Sequence, residues 1–197
     1  MSDAPAGALL ALWNDVTPEL DADYNDWHAN EHVPERLTVA GMLWGRRYVA
    51  LPGTGGPRYL TLYGLRDAAV LDNDAYRRLL SEPTPMSARM RPQLRNVSRW
   101  VCRLDRCDPV GAEAHLAVLA LDQEVVSGAA VDRFAASVGS AALLVGERLH
   151  DAAPLPWVQP SQGQGIDGRW LLCAASERQA PTDESARWYA PLPVRRD

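Results

Sequence analysis

Three short apolar segments occur twice along this chain in the same order, and that recurrence limits its folds more than any single motif does. Residues 8–15 (ALLALWND) resemble 115–122 (HLAVLALD), 41–48 (GMLWGRRY) resemble 142–149 (ALLVGERL), and 57–63 (PRYLTLY) resemble 168–174 (GRWLLCA). Each reads as a buried strand. A helix candidate separates the first two strands of each set. In the first half Thr17 caps it with Pro18 at the first helical position. Pro34 is expected to end it near His32 or Val33. In the second half, residues 127–138 carry Val131, Phe134, Ala135 and Val138 at helical spacing.

The first half continues with a helix over 72–80, another turn or short helix over 86–94 and a strand over 97–104. The order is therefore β-α-β-β-α-β, the ferredoxin-like pattern. The second half reads β-α-β-β, and no further element is legible in 181–197. The expected fold is α+β: two ferredoxin-like β-α-β-β repeats in one chain, with a first unit over 1–106 and a second, degenerate unit over 113–197. A linker spans 105–113. Residues 152–168, rich in Pro, Gly and Gln, form a long loop where the first half has only 53–56.

Composition excludes several classes. The formal charge is −5, and all twenty basic residues are arginine. No basic run is interleaved with aromatics, so no nucleic-acid partner is expected. No apolar run reaches the roughly 20 residues of a spanning helix, and the first residues lack a basic leader, so no membrane partner is expected. The three cysteines, Cys102, Cys107 and Cys173, form no CxxC pair, which fits a reducing cytoplasm. No G-x-S-x-G elbow and no phosphate-cradling glycine loop is present.

Chemistry concentrates in residues 24–48. His28-x-x-Glu31-His32 matches the H-x-x-E-H arrangement of inverted zinc peptidases, and the two histidines share a helix face with Tyr24 one turn earlier. A catalytic zinc needs a third protein ligand, which nothing downstream marks, so no metal is expected. His32 has two other readings: a helix-terminal histidine that bonds locally and favours the dipole when protonated, or a proton shuttle at a pocket. Glu31 and Glu35 are expected to be solvated or paired with Arg36. Trp27 serves core packing or a pocket wall.

Tyr24-x-x-Trp27-x3-Glu31-His32, Pro34, Gly41, Arg46-Arg47-Tyr48, the run 59–63 and Tyr76 together resemble EthD-like proteins of the dimeric α+β barrel superfamily, over about the first 105 residues. The resemblance implies two ferredoxin-like sheets facing one another around a pocket, with Trp27, His32 and Arg47 as the positions to watch. It implies no single reaction: such proteins include isomerases, oxygenases and proteins without known activity.

Strand alternation refines the site. Trp44, Arg46 and Tyr48 share one face of the second strand; Tyr59, Thr61 and Tyr63 share one face of the third. Trp44, Tyr48, Tyr59 and Tyr63 are expected to line the barrel interior with Trp27 and His28 as substrate-binding residues, while His32, Arg46 and Arg47 act in catalysis. Arg46 either binds an acidic group or pairs with Glu147, its equivalent in the repeat. The leading expectation is an enzyme without a built-in cofactor, moving protons on an apolar or aromatic small-molecule ligand as an isomerase or cyclase does. The alternatives are a non-enzymatic binding or accessory protein and a cofactor-free or haem-dependent oxidoreductase. A homodimer is compatible with an intrachain barrel but not required by it.

Overall fold

The structure, a computed structural model, describes residues 5–140, 142–149, 155, 157, 165–176 and 185–195. Most of the expected 152–168 loop and the segment 181–184 lie outside the described residues. The strands are β1 (Ala8–Asp15), β2 (Met42–Ala50), β3 (Tyr59–Leu65), β4 (Arg95–Cys107), β5 (His115–Leu121), β6 (Leu143–Arg148), β7 (Trp170–Ser176) and β8 (Arg187–Leu192). They close into one eight-stranded barrel in the order β1-β3-β2-β8-β5-β7-β6-β4. Every neighbouring pair is antiparallel. The protein is thus a mixed α/β barrel. β8 arises where the sequence showed no element. It pairs with both β2 and β5 and so completes the closure, which removes every sheet edge.

The helices are α1 (Asp21–Trp27), α2 (Val33–Leu37), α3 (Asp74–Ser81), α4 (Pro85–Met90) and α5 (Gly128–Val138). Asn73, Thr84 and Ser127 cap α3, α4 and α5 with side chains that accept from Tyr76, Ser87 and Ala130 backbone N–H groups. Thr17 does not cap: it precedes a 3₁₀ turn, Pro18–Leu20, without a side-chain bond, and α1 starts at Asp21. α1–α4 pack outside the first four strands, and α5 outside the second four.

The barrel interior is filled. Trp13, Trp44, Tyr48, Trp100 and Tyr189 meet Leu9, Leu60, Leu62, Leu116 and Leu171 there, all buried, with Trp13 and Trp100 edge-to-face at 5.7 Å. Burying one such side chain contributes about 1.5–3 kcal/mol. Trp44 and Tyr48 therefore sit inside, as expected. Tyr59 and Tyr63 do not: they point out toward the helices, and Leu60, Leu62 and Gly64 take the interior face of β3. Cross-strand pairing explains the inversion. Trp44 pairs with Gly64 and Gly45 with Tyr63, so each large ring lies over a glycine on its own face. Matching aromatic with aromatic would have put four rings on one side and both glycines on the other.

The repeat equivalence of Arg46 and Glu147 also fails. β2 and β6 lie on opposite walls of the barrel. Both Glu147 oxygens are engaged by Arg103 and Arg169, at 3.0–3.1 Å. Arg46 lies over the Trp44 ring at 4.7 Å, and the residue that does the same across the barrel is Arg148, over Trp100 at 4.8 Å. The ladder registers that align β1 with β5 and β3 with β7 make Arg46 equivalent to Leu144, three residues from Glu147, and an odd offset exchanges faces.

Pro34 does not end the helix. After α1 the chain makes a π-helical turn, His28–His32, and re-enters α-helix with Pro34 in the first turn of α2. The Val33 N–H reaches back five residues to the His28 carbonyl. That wider register leaves Ala29 O facing Pro34, which has no N–H to give. The backbone N–H of Arg195 donates to Ala29 O instead, at 3.1 Å. The chain beyond β8 thus supplies the bond that proline cannot.

Candidate active site

The α1–α2 stretch sets a column of rings against the outer face of the sheet. Tyr24 and His28 are 5.0 Å apart between ring centroids, His28 and His32 4.9 Å, and Trp27 and His32 4.5 Å. Tyr24 donates from its hydroxyl to Asn14 Oδ1 at 3.0 Å, and Trp27 Nε1 donates to Ser87 Oγ at 3.2 Å. Glu31 turns away from the histidines and accepts from Thr84 Oγ1 at 2.5 Å, holding the start of α4. It is not placed as a base beside His28 and His32. Among the described residues no three His, Cys, Asp or Glu side chains converge as a metal site would require.

His28 and His32 open onto a small cavity of about 40 Å³, whose other walls include Asn14, Trp27, Arg36, Tyr76 and Arg91. Beside it runs a surface groove of about 610 Å³ that shares Leu80, Arg91 and Trp157 with the cavity. Both histidines are buried, 5% and 8% exposed, and their Nδ1 atoms have no hydrogen-bond partner among the described residues. Burial drives both imidazoles well below the usual histidine range, and nearby cations add to it: Arg47 then Arg36 for His28, and Arg36 first for His32. Both rings are neutral at pH 7. Tyr24 and Tyr63 are pushed up by burial and remain protonated phenols.

Arg47 lies behind the column rather than in the cavity. It donates to Asn25 Oδ1 at 2.7 Å and to the Pro193 carbonyl at 3.1 Å, and it lies over the Tyr24 ring. Asn25 in turn donates to Tyr59 Oη, which donates to Asp21 at 2.5 Å. Arg47 and Tyr59 therefore fix α1 against the sheet. Arg46 and Arg47 border a separate groove of about 340 Å³ with Glu113 and Pro193. Of the expected site residues, the structure brings together His28, His32 and Trp27. Trp44, Tyr48 and Arg46 belong to the barrel side, and Tyr59 and Tyr63 to the helix packing.

Arg36, Arg91 and Asn14 were not foreseen in the site. Arg36 carried a readable signal: positions 28, 32 and 36 keep one helix face, and only Pro34 argued against continuing it. Arg91 carried none, because it comes from a 3₁₀ turn after α4 that packing alone brings to the histidines.

No protein-family model matches the sequence, and no curated protein does. The fold is similar to that of an anthrone oxidase-like protein, at TM-score 0.57 and 12% identity, over 98% of this chain and 94% of that one. A chlorite dismutase variant from Candidatus Nitrospira defluvii in complex with cyanide aligns at TM-score 0.47 and 10% identity, over 96% and 92% of the two chains. The shared fold is an eight-stranded barrel, here closed within one chain. Among the described residues no helix is long and apolar enough to cross a membrane.

Proposed function

We propose that this chain is a small-molecule enzyme in which His32, seconded by His28, moves a proton on an apolar or aromatic metabolite. One observation carries the reading: two neutral, buried imidazoles face the same small cavity with Nδ1 atoms that have no partner among the described residues. A helix-terminal histidine serving only local structure would spend its nitrogens on nearby carbonyls. An unpaired neutral imidazole can instead take a proton from a carbon beside a carbonyl and return it elsewhere, which is the balance of an isomerisation or cyclisation and needs no oxidant. Trp27, Tyr76 and Leu80 supply apolar walls. Arg47 is a positioning residue that holds α1.

The same reading makes the chain an EthD-like protein with ferredoxin-like units over 1–106 and 113–197. The strand orders 4-1-3-2 and 8-5-7-6 in the two halves support it. With both halves of the barrel in one chain, no partner copy is needed to complete the site. We place the protein in the cytoplasm, with a small molecule as its ligand and neither nucleic acid nor membrane as partner. Haem does not fit: the cavity that reaches the imidazoles is far smaller than a porphyrin, and the larger groove is lined without either histidine. No step is assigned to it.

The test is a ligand screen by thermal shift, followed by turnover assays on each hit with wild type and His32→Gln. A positioned histidine contributes roughly 10²–10⁴-fold to proton transfer, so turnover should fall by that factor while the melting temperature moves little. A ligand that binds, stays chemically unchanged and is indifferent to His32→Gln would make the protein a binder instead.

A further inference from the structure

Three observations around the histidines bear on what enters the site. The first is charge. Arg36 and Arg91 are each only 3% exposed and both line the cavity, yet none of its described lining residues is an Asp or Glu. Among the described residues Glu35 is the one carboxylate within ion-pairing reach of Arg36, at 3.5 Å and from the adjacent residue. Among the described residues Arg91 has no carboxylate within ion-pairing reach. The Leu79 and Leu80 carbonyls accept from its guanidinium at 2.7 and 3.1 Å, and it lies over the Trp157 ring at 4.5 Å. Two buried like charges so weakly compensated by the described residues are unfavourable unless an anion joins them. The Arg91 guanidinium is accordingly lowered to about 10, by burial and then by Arg36.

The second observation is hydrogen-bond polarity. Asn14 Nδ2 and Arg91 Nε are buried donors without an acceptor among the described residues, and both residues border the cavity. A donor-rich wall selects a ligand rich in acceptors. The third is shape. By the space a water occupies, about 40 Å³ admits roughly three small heavy atoms. The adjoining groove of about 610 Å³ presents Leu80, Pro83, Ala88, Pro92 and Trp157.

We infer that the site takes a small metabolite bearing a carboxylate, seated between Arg36 and Arg91 beside His32, with its apolar body lying in the groove against Trp157. This rests on the small-molecule reading above and adds the class of substrate. Arg91 is already fixed by the two carbonyls, so it offers a preorganised fork, and Arg36 brings the second charge from one turn beyond His32. Burial first, and then the Arg36 and Arg91 charges, hold His32 at low basicity, and the carboxylate offsets the charges. Substrate binding and activation of the proton acceptor are thereby the same event.

The test is calorimetric titration of the full chain with benzoate, benzamide and inorganic phosphate. Benzoate and benzamide share shape and differ in charge, so the wild-type comparison needs no variant. Benzoate should bind at least tenfold more tightly than benzamide, and phosphate should not compete with it. Arg36→Met should weaken benzoate at least tenfold and leave benzamide unchanged. Equal affinity for benzoate and benzamide, competition by phosphate at the benzoate concentration, or an Arg36→Met variant within twofold of wild type would each overturn the assignment. His32→Gln separates this inference from the reading it rests on. Benzoate binding that depends on Arg36, with turnover of a screened substrate indifferent to His32→Gln, removes the proton-transfer role and leaves the carboxylate site standing. Lost turnover in His32→Gln with no preference for benzoate does the reverse.

Discussion

Gly64→Ala should lower the unfolding free energy by about 2–3 kcal/mol, and most of that loss should vanish in a Trp44→Leu background. A Cβ built on Gly64 falls within the van der Waals envelope of Trp44 Cε2, Nε1 and Cζ2. Trp44 has nowhere to retreat, because the barrel interior around it is packed and its ring carries the Arg46 guanidinium at 4.7 Å. One methyl group must therefore shift either an indole or a strand. Trp44→Leu alone should cost a few kcal/mol through the space it leaves, and that space then receives the alanine. Urea titration of the four proteins of this cycle gives the coupling energy directly. A cycle in which the two losses simply add would place Trp44 and Gly64 on different faces and undo the β2–β3 register described above.

That pair also shows where sequence reasoning stopped. Apolar runs such as 8–15 and 115–122 announce strands because burial on both faces leaves little room for polar residues. Which face of a strand looks inward is a relation between strands. Tyr59 and Tyr63 resemble Trp44 and Tyr48 in chemistry, yet Gly45 on the neighbouring strand receives Tyr63 on the opposite side and alternation takes Tyr59 with it. Alternation is legible in one strand; register is not. β8 escaped notice for a related reason. Trp188 and Tyr189 pack into different clusters, one outside the barrel and one within, so Arg187–Leu192 has neither a clean alternation nor an apolar run, and Pro191 reads as a breaker.

The site was legible in part, and the division follows from distance along the chain. Trp27, His28 and His32 lie within six residues on one helix, so spacing alone placed them together. Arg36 belongs to the same face, but reaching it requires the helix to pass Pro34. It does so only because a π turn widens the register and Arg195, 166 residues after Ala29, supplies an N–H to the carbonyl left over. No local rule contains that compensation. Arg91 and Asn14 arrive from other elements altogether. The charge that defines the cavity was thus the least readable part of it.

Acidifying the protein from about pH 7.5 to about pH 5.5 should destabilise it, by up to about 2.7 kcal/mol from His28 and His32 together. Both imidazoles have folded-state values well below the unfolded one of about 6.5, since burial and the surrounding arginines oppose a second positive charge. Above that value neither state binds the proton and the pair contributes no pH dependence. Below it the unfolded chain binds protons that the folded protein refuses, so the unfolded state gains until the folded values are reached. Each histidine can contribute about 1.4 kcal/mol per pH unit in this window. The groups facing the pair from the packed elements are Arg36, Arg47 and Arg91. Glu31, the carboxylate between the two histidines in sequence, is committed to Thr84 and Ser87. Urea melts at the two pH values, on wild type and on a His28→Gln, His32→Gln variant, isolate the effect as a difference of differences, whatever the variant's own stability. The competing role has the opposite sign. A histidine protonated to complement a helix C-terminus would have a raised value, and its protein would gain stability on acidification. A wild-type curve that rises between pH 7.5 and 5.5, or one that the double replacement leaves unchanged, would remove the neutral imidazole pair from the site and with it the proton acceptor.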